Sequence, residues 1–169
     1  CSISGLSDTH YGIYLEDADG GCSIQYNSLT TDNYSSLYGI YMTNGNNSSA
    51  SAELIISHNT LDFTSTDQIQ GIYLDNCKTA TVEHNTLTQN TSYINYGIDF
   101  NYGCDNFKCN NNTLDMTSSA ANMGIYAYWV NNGLSNAYAE VNNNNVTAQS
   151  DGDWTEYAFE MVYINYGAT

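Results

Sequence analysis

One five-residue phrase recurs along this chain and restricts its fold more than any other feature. It reads Tyr11-Gly-Ile-Tyr-Leu15, Tyr38-Gly-Ile-Tyr-Met42, Gln70-Gly-Ile-Tyr-Leu74, Tyr96-Gly-Ile-Asp-Phe100 and Met123-Gly-Ile-Tyr-Ala127, with a degenerate copy at Tyr157-Ala-Phe-Glu-Met161. The glycines stand at 12, 39, 71, 97 and 124, and Ala158 takes the next place, so the period runs from 26 to 34 residues. A period of this length marks a repeat architecture. One unit cannot bury its own apolar face and must stack on its neighbours.

A second phrase, apolar-x-x-Asn-x-apolar, alternates with the first. It occurs as Ile24…Asn27…Leu29, Ile56…Asn59…Leu61, Val82…Asn85…Leu87, Cys109…Asn112…Leu114 and Val141…Asn144…Val146. Turn-rich segments such as Asp19-Gly-Gly21, Asn44-Gly-Asn46 and Asn131-Asn-Gly133 separate the phrases. Strand side chains alternate faces, so Ile13 and Leu15 share one face and Tyr14 takes the other. Superposing the copies predicts an interior column of Ile13, Ile40, Ile72, Ile98, Ile125 and Phe159. Beside it run Leu15, Met42, Leu74, Phe100, Ala127 and Met161. Each buried Ile or Leu in such a column contributes roughly 1.5–3 kcal/mol.

Helical repeats need longer segments at a 3.6-residue period, which are absent. A propeller blade needs four strands in about 40 residues. Short strands with variable corners fit an all-β chain, a parallel β-helix (β-solenoid) of five to six coils of 26–34 residues, with successive coils about 4.8 Å apart. Asn27, Asn59, Asn85, Asn112 and Asn144 then form an internal ladder. Each would turn inward at a corner, in left-handed geometry, and bond to the amides above and below. An unpaired buried amide costs about 1–3 kcal/mol, so the ladder has to be continuous. The length suits a single domain, 1–169. Residues 1–10 read as an N-terminal edge segment, 11–166 as the coils and 167–169 as an open C-terminal edge.

Over about residues 11–166, the G-I-Y-x and I-x-x-N-x-L phrases resemble the right-handed parallel β-helix repeat of the pectin-lyase-like superfamily. That resemblance implies the handedness. It leaves function open, because the superfamily includes polysaccharide lyases and hydrolases, phage tailspikes, adhesins and surface-layer proteins.

Charge excludes several classes. Lys78 and Lys108 are the only basic side chains apart from histidine, against 18 carboxylates, and the net charge is -16. Ordinary nucleic-acid or anionic-membrane binding needs clustered cations. No apolar run is long enough for a spanning helix. Five cysteines are present. Cys1 is a candidate for an intersubunit disulfide or for pairing with Cys22. Cys77 and Cys104 fall near equivalent corners of consecutive coils and suit an internal bridge, while Cys109 replaces an interior aliphatic and reads as a buried free thiol. Candidate N-glycosylation sites are Asn33, Asn46, Asn47, Asn90, Asn111 and Asn145. With the cysteines they favour an extracellular, cell-surface address.

Enzymatic signals are weak. The resemblance brings in the pectate-type lyase, which relies on a cationic base and carboxylate-bound calcium; this chain has no Arg, and neither lysine sits beside an Asp cluster. A glycoside hydrolase needs paired carboxylates about 5–9.5 Å apart. The outward column reads Tyr14, Tyr41, Tyr73, Asp99, Tyr126 and Glu160, which leaves Asp99 alone among tyrosines as an exposed surface residue. His58 and His84 stack in one outward column without a third recurring ligand. Asp17 and Asp19 beside Gly20-Gly21 are the one place for Ca²⁺. No catalytic, cofactor or metal residue is therefore assigned.

Tyr14, Tyr41, Tyr73 and Tyr126 form a stripe, flanked by Tyr11, Tyr38, Tyr96 and Tyr157. It is a candidate interaction face, either stacking sugars or packing subunits side by side, or else a ladder of tyrosines packed on one another. Tyr163-Ile-Asn-Tyr-Gly167 repeats Tyr93-Ile-Asn-Tyr-Gly97, so the pattern ends as though opening another coil. The reading is a non-enzymatic extracellular structural subunit. It self-assembles through β-helix edges and Tyr-rich faces, with disulfides, into a sheath, surface layer or filament; its composition resembles archaeal envelope and sheath proteins. The alternative is a carbohydrate-binding or polysaccharide-degrading β-helix of tailspike, adhesin or glycoside hydrolase type.

Overall fold

The computed structural model describes residues 2–3, 9–33, 35–46, 52–131, 138–152 and 156–162. Cys1, Asn47 and the 163–169 segment lie outside them, as does the side chain of Asn33. The described residues hold seventeen strands and no helix. After β1 (Ser2–Ile3), the strands come in threes. The first repeat is β2 (His10–Glu16), β3 (Cys22–Gln25) and β4 (Ser28–Asn33). The second is β5 (Leu37–Thr43), β6 (Leu54–Ser57) and β7 (Thr60–Ser65), and the third is β8 (Ile69–Asp75), β9 (Ala80–Glu83) and β10 (Thr86–Thr91). The fourth is β11 (Ile94–Asn101), β12 (Phe107–Asn110) and β13 (Thr113–Ser118), and the fifth is β14 (Ala121–Tyr128), β15 (Ala139–Asn142) and β16 (Asn145–Ser150). β17 (Tyr157–Val162) follows.

Every third strand joins the same sheet, which gives three parallel sheets in the orders β1-β4-β7-β10-β13-β16, β2-β5-β8-β11-β14-β17 and β3-β6-β9-β12-β15. This cyclic order is compatible with a β-solenoid. The register stacks like on like. Ile13 pairs with Ile40, Ile40 with Ile72, Ile72 with Ile98, Ile98 with Ile125 and Ile125 with Phe159. Leu29, Leu61, Leu87, Leu114 and Val146 make a second column in another sheet. β7, β10 and β13 alternate exposed and buried residues without a break, as one-sided strands must. One core cluster draws on all three sheets, from Ile24 and Leu29 through Ile72, Val82 and Phe107 to Val130.

The two phrases now have separate physical meanings. The Asn phrase spans a corner between sheets: Ile24 lies in β3 and Leu29 in β4. The bend comes from the residue before each Asn. Tyr26, His58, His84, Asn111 and Asn143 all have φ between 54° and 57°. The expectation that the ladder Asn itself takes left-handed geometry is thus corrected by one position. Moving the strain outward leaves the Asn backbone free to receive its neighbour's oxygen.

The Gly of the other phrase answers to space. A Cβ on Gly71 would lie 2.5 Å from the Gly97 carbonyl oxygen and 2.5 Å from Leu87 Cδ2. Gly39 meets Gly71 and Phe63 in the same way. Glycine is therefore required where the next strand's carbonyl crosses the sheet. Ala158, in the degenerate copy, is exposed. Gly71→Ala should lower unfolding free energy by about 1–3 kcal/mol through overpacking, read as a shifted denaturant midpoint. An unchanged midpoint would contradict this account of the glycine column.

Candidate functional site

The corner asparagines carry a hydrogen-bonded column. The Asn59 backbone N–H and Nδ2 both donate to Asn85 Oδ1 at 3.0 Å. Asn27 does the same to Asn59, Asn85 to Asn112, and Asn112 to Asn144. The second amide hydrogen reaches a carbonyl of the preceding repeat: Asn59 to Ile24 at 2.8 Å, Asn85 to Ile56 at 2.9 Å and Asn112 to Val82 at 2.9 Å. Each buried amide is thereby satisfied in both directions along one axis. Two shorter ladders run at other corners, and the alignment of Asp17, Asn44 and Asn76 in the first is readable from the sequence. Asn76 donates to Asn44 and Asn44 to Asp17, while Asn95 donates to Asn122 and Asn122 to Glu156. Asn85→Ala should cost about 1–3 kcal/mol, because it leaves the Asn59 amide without an acceptor; thermal denaturation monitored at one wavelength would read it.

The tyrosine stripe is a stack. Tyr14 and Tyr41 lie 5.2 Å apart at 3°, and Tyr41 and Tyr73 lie 5.1 Å apart at 15°. Tyr11 stacks on Tyr38 at 5.1 Å and meets Tyr14 edge-on at 5.2 Å. These ring faces are turned to one another within the stack. Tyr14 remains about half exposed, at 48%. Tyr126 contacts Tyr96 edge-on at 5.8 Å.

Asp99 is where the structure departs most from the sequence. The register does place it in the outward column, between Tyr73 and Tyr126. It is nonetheless 2% exposed, not a surface residue. A short side chain between long ones is shaded by them. Burial pushes its carboxyl up to about 8, with the Asp75 charge adding to it, and its Oδ1 has no hydrogen-bond partner. Gln70, diagonal to it on the next strand, is buried with an unpartnered Oε1. Burial raises the phenols of Tyr38, Tyr73 and Tyr96, with Asp99 adding to each. Tyr126 is raised to about 12 by burial, then by Glu160 and Asp99.

Other candidate residues are dispersed. Cys22, Cys77, Cys104 and Cys109 are free thiols, so the expected Cys77–Cys104 bridge is corrected. Stacked positions in parallel strands aim side chains alongside one another. The Cys77 thiol faces the Met42 and Asp75 carbonyls at 3.6 and 3.4 Å, and Cys104 faces the Leu74 carbonyl at 3.3 Å. Asn46 cannot accept a glycan. It is fully buried, its Oδ1 accepts from Gly21 N–H at 3.0 Å and its Nδ2 donates to Ala52 at 2.9 Å. Asn90, Asn111 and Asn145 are exposed. His58 stacks on His84 at 5.0 Å and on Tyr26 at 4.9 Å. Asp17 Oδ1 already accepts from Asn44 at 3.1 Å. Among the described residues no three His, Cys, Asp or Glu side chains converge as a metal set, and no helix is long and apolar enough to cross a membrane. A second aromatic group, missed in the sequence, joins Tyr102, Tyr128 and Trp129 at 5.2 to 6.1 Å; Trp129 is 41% exposed with φ of 55°.

No family model, curated protein or solved structure matches this chain.

The Asp99 carboxyl sets a pH dependence. Its folded value near 8 lies above the ordinary 3.8, so folding takes up a proton between them. The stability it confers is complete below about 4, declines as pH rises and is lost above about 8. Asp99→Asn should abolish this decline and stabilise the protein at pH 7.5 by at least about 1 kcal/mol, the worth of one pKa unit. Parallel stability–pH curves for parent and variant would contradict it.

Proposed function

We propose that this chain is a right-handed parallel β-helix serving as a structural subunit of an extracellular sheath, surface layer or filament, assembled from copies stacked along the coil axis. The continuity of the ladders carries this reading. Backbone pairs and Asn amides join equivalent positions in successive repeats, and Tyr rings do so from Tyr14 to Tyr73, so load along the axis is shared among them. The tyrosine stack supports it further. Sugar platforms need free ring faces, and Tyr41 spends both of its faces on Tyr14 and Tyr73, which each spend one on it. Phe159, aligned with the Ile column, is 44% exposed. Another copy's strand seated there would bury it. Exposed Asn90, Asn111 and Asn145 suit glycans on the outer surface.

Carbohydrate recognition is the second reading, favoured by the exposed Tyr102–Trp129 group and by Asp99 beside Asp75. Electron microscopy and sedimentation over a concentration series separate the two. Structural assembly predicts rods that lengthen with concentration and shorten in Phe159→Asp. A dispersed monomer that cleaves a glycan, with activity lost in Asp99→Asn, would overturn it.

A further inference from the structure

We infer that Met42, Cys77 and Cys104 form a buried sulfur site for a soft monovalent metal ion, of which copper(I) is the fitting class. All three residues are fully buried. Cys77 and Cys104 occupy one corner position in consecutive repeats, and Gly45 holds that position in the repeat before. A parallel bridge between Lys78 and Asp105 sets Cys77 beside Cys104, and Lys78 N–H donating to the Gly45 carbonyl at 2.9 Å sets Gly45 beside Cys77. A Cβ at Gly45 would lie 2.8 Å from Met42 Sδ and 3.1 Å from Cys77 Sγ. Thioether and thiol thus converge on the spot where Gly45 offers no side chain. The next sulfur follows directly, since Cys77 N–H donates to Cys104 Sγ at 3.4 Å. Leu54 Cδ2 closes the same spot at 3.4 Å.

The chemistry of the donors selects the ion. Thiolate and thioether sulfurs favour soft ions such as copper(I). Structural zinc needs four ligands, usually Cys and His, and these sulfurs gain no such partner among the described residues. On binding, copper–sulfur bonds form at Cys77 and Cys104 and both thiol protons leave to solvent. Met42 contributes a thioether lone pair, and no electron is transferred. Packing alone does not demand sulfur here, because Gly45 and Val130 fill the neighbouring places.

The site is closed, so the full chain is loaded by anaerobic refolding with copper(I) buffered by bicinchoninate, then desalted. One retained copper per chain with an all-sulfur shell in X-ray absorption is expected. Cys77→Ala and Cys104→Ala should each weaken retention at least about tenfold, while Cys22→Ser and Cys109→Ala retain it. Met42→Leu keeps the core volume and carries the test should the cysteine variants lose their β-sheet circular dichroism; it should weaken retention severalfold. No retained copper, an oxygen or nitrogen shell, equal retention in the Cys77→Ala/Cys104→Ala double variant, or unchanged retention in Met42→Leu would overturn the site.

Discussion

Parallel backbone pairing in strict register makes each residue the neighbour of its own equivalent, one repeat away. Most other features depend on that constraint. A buried amide can be satisfied because the next repeat offers the same amide at the same height. A tyrosine can stack because another tyrosine stands beside it. A glycine is needed wherever the neighbouring carbonyl crosses the sheet, and so it recurs at Gly12, Gly39, Gly71, Gly97 and Gly124. The repeat in the sequence is the record of this contact.

The same constraint magnifies departures from the pattern. Replacing one ring by a short carboxyl at Asp99 leaves a sunken acid between Tyr73 and Tyr126. Replacing Gly45 by cysteine in the following repeats aligns thiols that nothing else in the core requires. Chemistry in such a molecule is found where a column changes residue type.

Columns were legible in the sequence because strand alternation has a period of two and the Gly-Ile phrase marks its phase. The interior Ile column and the Asn positions follow from that alone. Exposure was less legible. Outward is not the same as solvent-accessible when neighbours are larger, which is why Asp99 is buried. Asn46 failed as a glycan acceptor because a corner amide can be recruited to close its own loop. The left-handed residue was misplaced by one, since composition at Tyr26, His58 and His84 gives no hint of positive φ. The Tyr102–Trp129 group escaped because it forms across a corner, where repeat lengths vary.

The stacking itself is open to one direct measurement. In a protein with isotopically labelled isoleucine methyls, nuclear Overhauser contacts report which side chains touch. Stacking in register predicts an unbroken series from Ile13 to Ile40, Ile72, Ile98 and Ile125, in which Ile40, Ile72 and Ile98 each see two isoleucine equivalents and the end members one. Contacts that skip this order, or isoleucines that see only residues of their own repeat, would contradict it.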